Sequence, residues 1–138
     1  MRGRRWFVAF AVFVCLGSFA AAGEDDAVAD GKFLYRVNCA SCHGASAEGD
    51  GPAAAALKTQ PPDLTRLSKR HGGVFPAEQV RRTIDGRVEF LGHGNREMPI
   101  WGLTFQELDA DTNQEREVSA RIGKLIEYLK SIQKEVGE

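Results

Sequence analysis

The chain has 138 residues, with 18 Lys+Arg against 19 Asp+Glu, 43% hydrophobic and 27% charged. That length suits one domain, and the composition is too ordinary for a disordered tail. No basic excess is present, which removes the electrostatic footprint that a nucleic-acid partner would need.

In chain order, Arg2, Arg4 and Arg5 form a positive cluster before an apolar run from Trp6 to about Ala22. The run closes on Ala20-Ala21-Ala22 and turns acidic at Glu24-Asp25-Asp26. This three-part layout predicts a secretory signal peptide over 1–22 and a mature domain over 23–138. An uncleaved anchor helix is the alternative, since about 17 apolar residues reach the lower edge of what spans a bilayer. Val12-Phe13-Val14 before Cys15 lacks the small residue that lipidation would want, and Arg4-Arg5 alone is a weak twin-arginine signal. Cleavage would leave 116 residues, enough for one compact core, with 15 basic and 19 acidic side chains. Of three cysteines only Cys39 and Cys42 would remain, and Met98 would be the sole methionine.

From Ala27 to His43 the apolar Val28, Phe33, Leu34 and Val37, with Asp30 in an early turn, predict a helix. A Gly- and Ala-rich stretch follows from Gly44 to Ala56, in which Gly49-Asp50-Gly51-Pro52 is turn chemistry. Pro61-Pro62-Asp63 is a further extended break. Pro76 opens a short helix with Val80 and Ile84 four apart, closed by Gly86. The segment Arg87 to Gly102 reads as a loop with Gly92, Gly94 and Pro99. From about Thr112 to Glu135 a last helix is predicted, because Val118, Ile122, Leu125, Leu129, Ile132 and Val136 recur at four- and three-residue steps. No alternating strand pattern and no repeat occurs, so the fold class is all-α. Loops this long argue against a core of side chains alone, whereas a large planar cofactor would give them something to pack on.

Three short motifs carry chemistry. Cys39-Ala40-Ser41-Cys42-His43 has the spacing of a c-type haem attachment site. Two cysteines three apart can each add to one vinyl group of haem, and the histidine that follows is delivered to the iron as proximal ligand. A thioredoxin-like redox pair would need a strand–helix setting that this chain lacks. A zinc site lacks a second cysteine pair or spaced histidines, and a disulfide across two residues is strained. The second motif is Arg96-Glu97-Met98-Pro99-Ile100-Trp101. A methionine is most often a core gap-filler, but a thioether in a polar, glycine-flanked loop also makes a soft, neutral ligand that raises the reduction potential of iron. His71 and His93 are rival sixth ligands. The third motif is Gly51-Pro52, nine residues past His43. A metal-bound histidine usually donates its other ring N–H to a carbonyl or carboxylate, and the Pro52 carbonyl is a candidate; a simple turn is the plainer reading.

Together these residues, the N-terminal segment and the amphipathic last helix resemble a bacterial class I (mitochondrial-type) monohaem cytochrome c across essentially the whole mature chain. The resemblance implies helices and long loops wrapped around one covalent haem c. It implies that Gly31 and Tyr35 cross Leu125 and Tyr128, that His43 and Met98 are the proximal and distal iron ligands, and that Pro52 supports His43. Pro61-Pro62-Asp63-Leu64-Thr65 is similar to a loop beside the haem in exported relatives. The segment Leu91 to Asp111 is longer than in the most compact members, and Trp101 within it is expected at the haem edge or on a propionate, or as a packing anchor.

The function implied is that of a periplasmic one-electron carrier, because iron with two protein ligands has no open position for substrate. Its partners would be redox proteins: a dehydrogenase, a bc1-type complex or a terminal oxidase, docking through a small interface. A membrane enters only if the N-terminal segment is kept. The mature excess of acidic residues suggests neutral or basic partner faces, while Arg66, Lys69, Arg70, Arg81 and Arg82 form either a local docking patch or a solvated face. The alternatives are a haem peroxidase or small-gas-binding protein with an open iron site, a zinc- or disulfide-stabilised interaction module, and the cytochrome subunit of a larger periplasmic oxidoreductase.

Overall fold

The computed structural model describes residues 22–88, 97–108 and 114–134. Residues 1–21 of the expected signal segment, together with Gly92, His93, Gly94 and Val136, therefore lie outside the described residues. Among the described residues the chain is all-α, with six helices: α1 (Ala22–Asn38), α2 (Ala40–His43), α3 (Leu67–Arg70), α4 (Ala77–Asp85), α5 (Trp101–Glu107) and α6 (Gln114–Ser131). Two 3-10 turns, Ala54–Ala56 and Leu64–Arg66, punctuate the long connection from α2 to α3. None of these helices is long and apolar enough to cross a membrane.

The α6 periodicity places Val118, Ile122, Leu125 and Leu129 in the core, each at most 4% exposed. This stripe packs against Val80 and Ile84 of α4, Phe105 of α5 and Tyr35 of α1. The crossing of α1 over α6 is the one that the resemblance implies. A methyl group on Gly31 would strike the Lys124 carbonyl and stand 2.9 Å from Tyr128 Cβ. One helical turn on, Tyr35 meets Tyr128 with ring centroids 5.2 Å apart. Glycine lets the two backbones come this close, which offsets its entropic cost inside a helix.

Four expectations need revision. The helix predicted over 27–43 begins earlier, at Ala22, and is divided at Cys39, whose carbonyl accepts from both Cys42 N–H (3.2 Å) and His43 N–H (2.9 Å) as α2 starts. The loop predicted over 87–102 ends two residues short, because Trp101 opens α5 and Gly102 lies within it; the Trp101 and Phe105 rings, one helical turn apart, pack with centroids 5.7 Å apart. The short α3 was not predicted from the sequence at all. Finally, α6 ends at Ser131 rather than near Glu135, and Gln133 and Lys134 turn back to bind the 64–68 segment instead. By contrast α4 follows directly on Pro76, its N-cap, and closes on Gly86 in the left-handed conformation (φ 69), as the turn residues predict.

An ion network joins α4 to α6. Arg87 binds Asp85 at 2.7 Å and Glu115 at 2.8 Å. Hydrogen bonding to Arg87 is the chief reason that both carboxyls sit below the usual carboxylate range. Lowered folded-state values mean that this stabilisation is complete above about pH 5, past the unfolded carboxylate range, and fades as pH falls through the folded values.

Two measurements check this account. Gly31→Ala is expected to lower stability by about 1–3 kcal/mol in urea unfolding, the usual cost of overpacking, although alanine is the better helix former. Arg87→Ala is expected to cost about 1 kcal/mol at pH 7, since Glu115 is well solvated, and progressively less as pH falls below about 5.

Candidate haem site

The helices leave a mostly apolar cavity of about 530 Å³ between α1–α2, the 57–67 connection, α4 and α6. Leu57, Leu64, Leu67, Val80 and Ile84 contribute much of its wall, with Leu125 and Leu129 from the α6 stripe. The volume is within the range of small-molecule and cofactor sites.

Cys39, Cys42 and His43 all line it, brought there by the single turn of α2. That turn is held from two sides. Tyr35 donates its hydroxyl proton to the Gly44 carbonyl at 2.7 Å, and burial keeps this phenol protonated well above its usual range. Beneath it, Gly51 N–H donates to Cys42 carbonyl at 3.2 Å and Ala53 N–H to Ser41 carbonyl at 2.8 Å. A methyl group on Gly51 would meet the Ser41 carbonyl and stand 2.6 Å from the Cys42 carbonyl carbon.

Both cysteines are free thiols, and burial, then the neighbouring Cys42, pushes the Cys39 thiol up to about 12. His43 Nδ1 is buried without a hydrogen-bond partner. Desolvation lowers the imidazole pKa, and the Pro62 backbone opposes this weakly. The ring is thus kept neutral, the form in which imidazole binds metal.

Met98 reaches the same cavity from the loop before α5, and Trp101 from the first residue of that helix. Pro52 does not. It is exposed and absent from the cavity wall, while Pro61 and Pro62 line it. Of these prolines, Pro62 has the backbone group close enough to oppose the lowering of the His43 pKa, without completing a hydrogen bond to Nδ1. Pro52, expected to support His43, is thus not among the residues gathered at the cavity.

His71 also lines the cavity, with its ring engaged: Nδ1 lies 2.8 Å from the Leu67 carbonyl and Nε2 3.1 Å from Gln79 Oε1. Its rival, His93, is outside the described residues. Among the described residues no three His, Cys, Asp or Glu side chains gather as a metal site, which leaves a zinc module without ligands there.

A family model described as Cytochrome c matches residues 28–113, more than half of the chain. The chain belongs to the cytochrome c family. Searches of curated proteins and of solved structures found no match. As a cytochrome c it is a haem-based electron carrier whose partners are redox proteins, and its cofactor is one covalently attached haem c. The residues present fit that group. An apolar cavity holds two free thiols on one turn, a neutral imidazole with an orphaned buried nitrogen, and a thioether.

Residues that the sequence reading passed over are those that close the cavity. Glu97 binds the 58–59 backbone, and Gln133 clamps the 64–68 segment by accepting from Ser68 N–H at 2.8 Å and donating to the Leu64 carbonyl at 2.8 Å. Neither residue type carries a local signal; both act on backbone groups far away in the chain.

Gly51→Ala is expected to displace the α2 turn. The measurement is the fraction of exported chain that stains for covalent haem, together with a loss of about 1–3 kcal/mol in urea unfolding.

Proposed function

We propose that this cytochrome c is an exported, periplasmic one-electron carrier of the bacterial class I type, with thioethers at Cys39 and Cys42 and axial ligands His43 and Met98. The observation that carries the reading is that Cys39, Cys42, His43 and Met98 all line one apolar cavity. When bound, the haem supplies Fe(III)/Fe(II) cycling.

The chain's own residues do the rest. The α2 turn presents both thiols from one short stretch, as attachment along one edge of the ring requires. His43 offers a neutral imidazole, and the Pro62 backbone is available to orient its other nitrogen. Met98 adds a soft, uncharged donor that favours the ferrous state. The engagement of His71 with Leu67 and Gln79 favours Met98 over it as sixth ligand. Aliphatic walls from α4 and α6 keep water from the ring, which lowers the reorganisation on changing charge.

Export rests on the N-terminal pattern, with residues 1–22 as signal peptide. Weak docking to a dehydrogenase, a bc1-type complex or a terminal oxidase follows from the carrier role. Haem held by His43 and Met98 together would leave no open iron position for peroxidase or gas-binding chemistry.

The test is the visible spectrum of protein exported in a host with haem-attachment machinery. A sharp low-spin reduced spectrum, with a weak far-red sulfur-to-iron band when oxidised, is expected. Met98→Ala should retain covalent haem, lose that band, lower the potential and admit exogenous ligands. His43→Ala should prevent a stable low-spin holoprotein. An unchanged band and potential in Met98→Ala would refute the ligand assignment.

A further inference from the structure

Met98 belongs to a segment with little regular structure of its own. Downstream it runs through Pro99 and Ile100 into α5, which is anchored by the buried Phe105. Upstream stands Glu97, an exposed carboxylate at the cavity rim. One of its oxygens accepts from the Lys58 N–H and the other from the Thr59 N–H at 3.0 Å, across sequence separations of 39 and 38 residues. Leu57, Thr59 and Gln60 line the cavity beside this contact.

We propose that Glu97 is a positioning residue for the distal ligand: its carboxylate clasps the 58–59 backbone and so holds Met98 against the iron. The inference rests on the reading of Met98 as that ligand. Two consecutive backbone N–H groups that follow a 3-10 turn need two acceptors, and a carboxylate supplies one oxygen to each. Charge-assisted bonds of this kind are about twice as strong as neutral ones. A thioether is a weak, neutral donor to ferric iron, so its retention depends on how little freedom the loop gains when the sulfur leaves. The clasp reduces that freedom, since it tethers the residue next to the sulfur to a separate wall of the cavity.

The chemistry separates three variants. Glu97→Ala removes both acceptors. Glu97→Gln keeps one oxygen and turns an amide NH2 toward the second N–H, so at most one bond survives. Met98→Ala removes the ligand itself. The experiment titrates the ferric holoproteins with imidazole and follows loss of the far-red sulfur-to-iron band. Glu97→Ala is expected to bind imidazole about tenfold more tightly than the wild type, which corresponds to losing the net worth of the two bonds at a solvated site. Glu97→Gln should fall between the two.

The results separate the two readings. If Met98→Ala keeps the band, Met98 is not the ligand and the role given to Glu97 falls with it. Should Met98→Ala lose the band while Glu97→Ala binds imidazole as the wild type does, the distal ligand stands and the clasp is refuted. In that case the missing negative charge would raise the potential and leave the band intact. Where Glu97→Ala does not accumulate with haem, Glu97→Gln decides: wild-type imidazole affinity overturns the proposal.

Discussion

The close crossing of α1 over α6 governs how the other elements can lie. At Gly31 the two backbones approach until nothing larger than hydrogen fits against the Lys124 carbonyl. This contact sets the height of α1 above α6, and α1 leads through Cys39 directly into the turn that carries Cys42 and His43. The far side of the cavity includes Leu125 and Leu129, on the same α6. A single interhelical contact therefore fixes the distance between the attachment turn and an opposing wall. Tyr35 extends its influence by packing on Tyr128 and bonding to the Gly44 carbonyl, next to His43.

Around this frame the long loops are held in large part by side chains that bond to backbone, with an ion pair between Lys134 and Glu48 beside them. Asp63 caps the 3-10 turn Leu64–Arg66 by accepting from Thr65 N–H at 2.8 Å, and Gln133 ties the start of α3 to the end of α6. Glu97 does the same for the 58–59 segment. Irregular backbone must satisfy its N–H and C=O groups somewhere, and without a ladder it depends on such partners. These loops therefore have defined positions although they contain little helix.

What the loops enclose is a core that side chains alone do not complete. Buried apolar residues line the cavity together with an imidazole nitrogen that has no partner and a thiol kept protonated by burial. The space and the unpartnered nitrogen are costly in a protein interior unless something planar, apolar and metal-centred fills the cavity. For a cytochrome c the group is haem, and the polypeptide forms a receptacle for it with the attachment turn at one wall.

The local features were legible in the sequence because they depend on neighbours in the chain. The spacing Cys39-x-x-Cys42-His43, the α6 stripe from Val118 to Leu129, and α4 between Pro76 and Gly86 follow from helical geometry and turn chemistry over a few residues. The glycine and aromatic of α1 were readable only through their resemblance to a known crossing. Even α5 had a signal in Trp101 and Phe105 one turn apart, masked by the glycines and proline before it. What the sequence could not decide was which distant backbone group each side chain meets. Every non-proline residue has the same N–H and all have the same carbonyl, so nothing in Pro52 or Pro62 marks which one acts on His43. Likewise Glu97 gains its partners only when two segments nearly forty residues apart fold side by side. The positions of α4 and of the α6 stripe, and the chemistry of the attachment motif, were thus determined by the sequence alone, whereas the arrangement of loops that supports that chemistry was decided by tertiary packing, because generic backbone groups acquire identity only from where the chain returns.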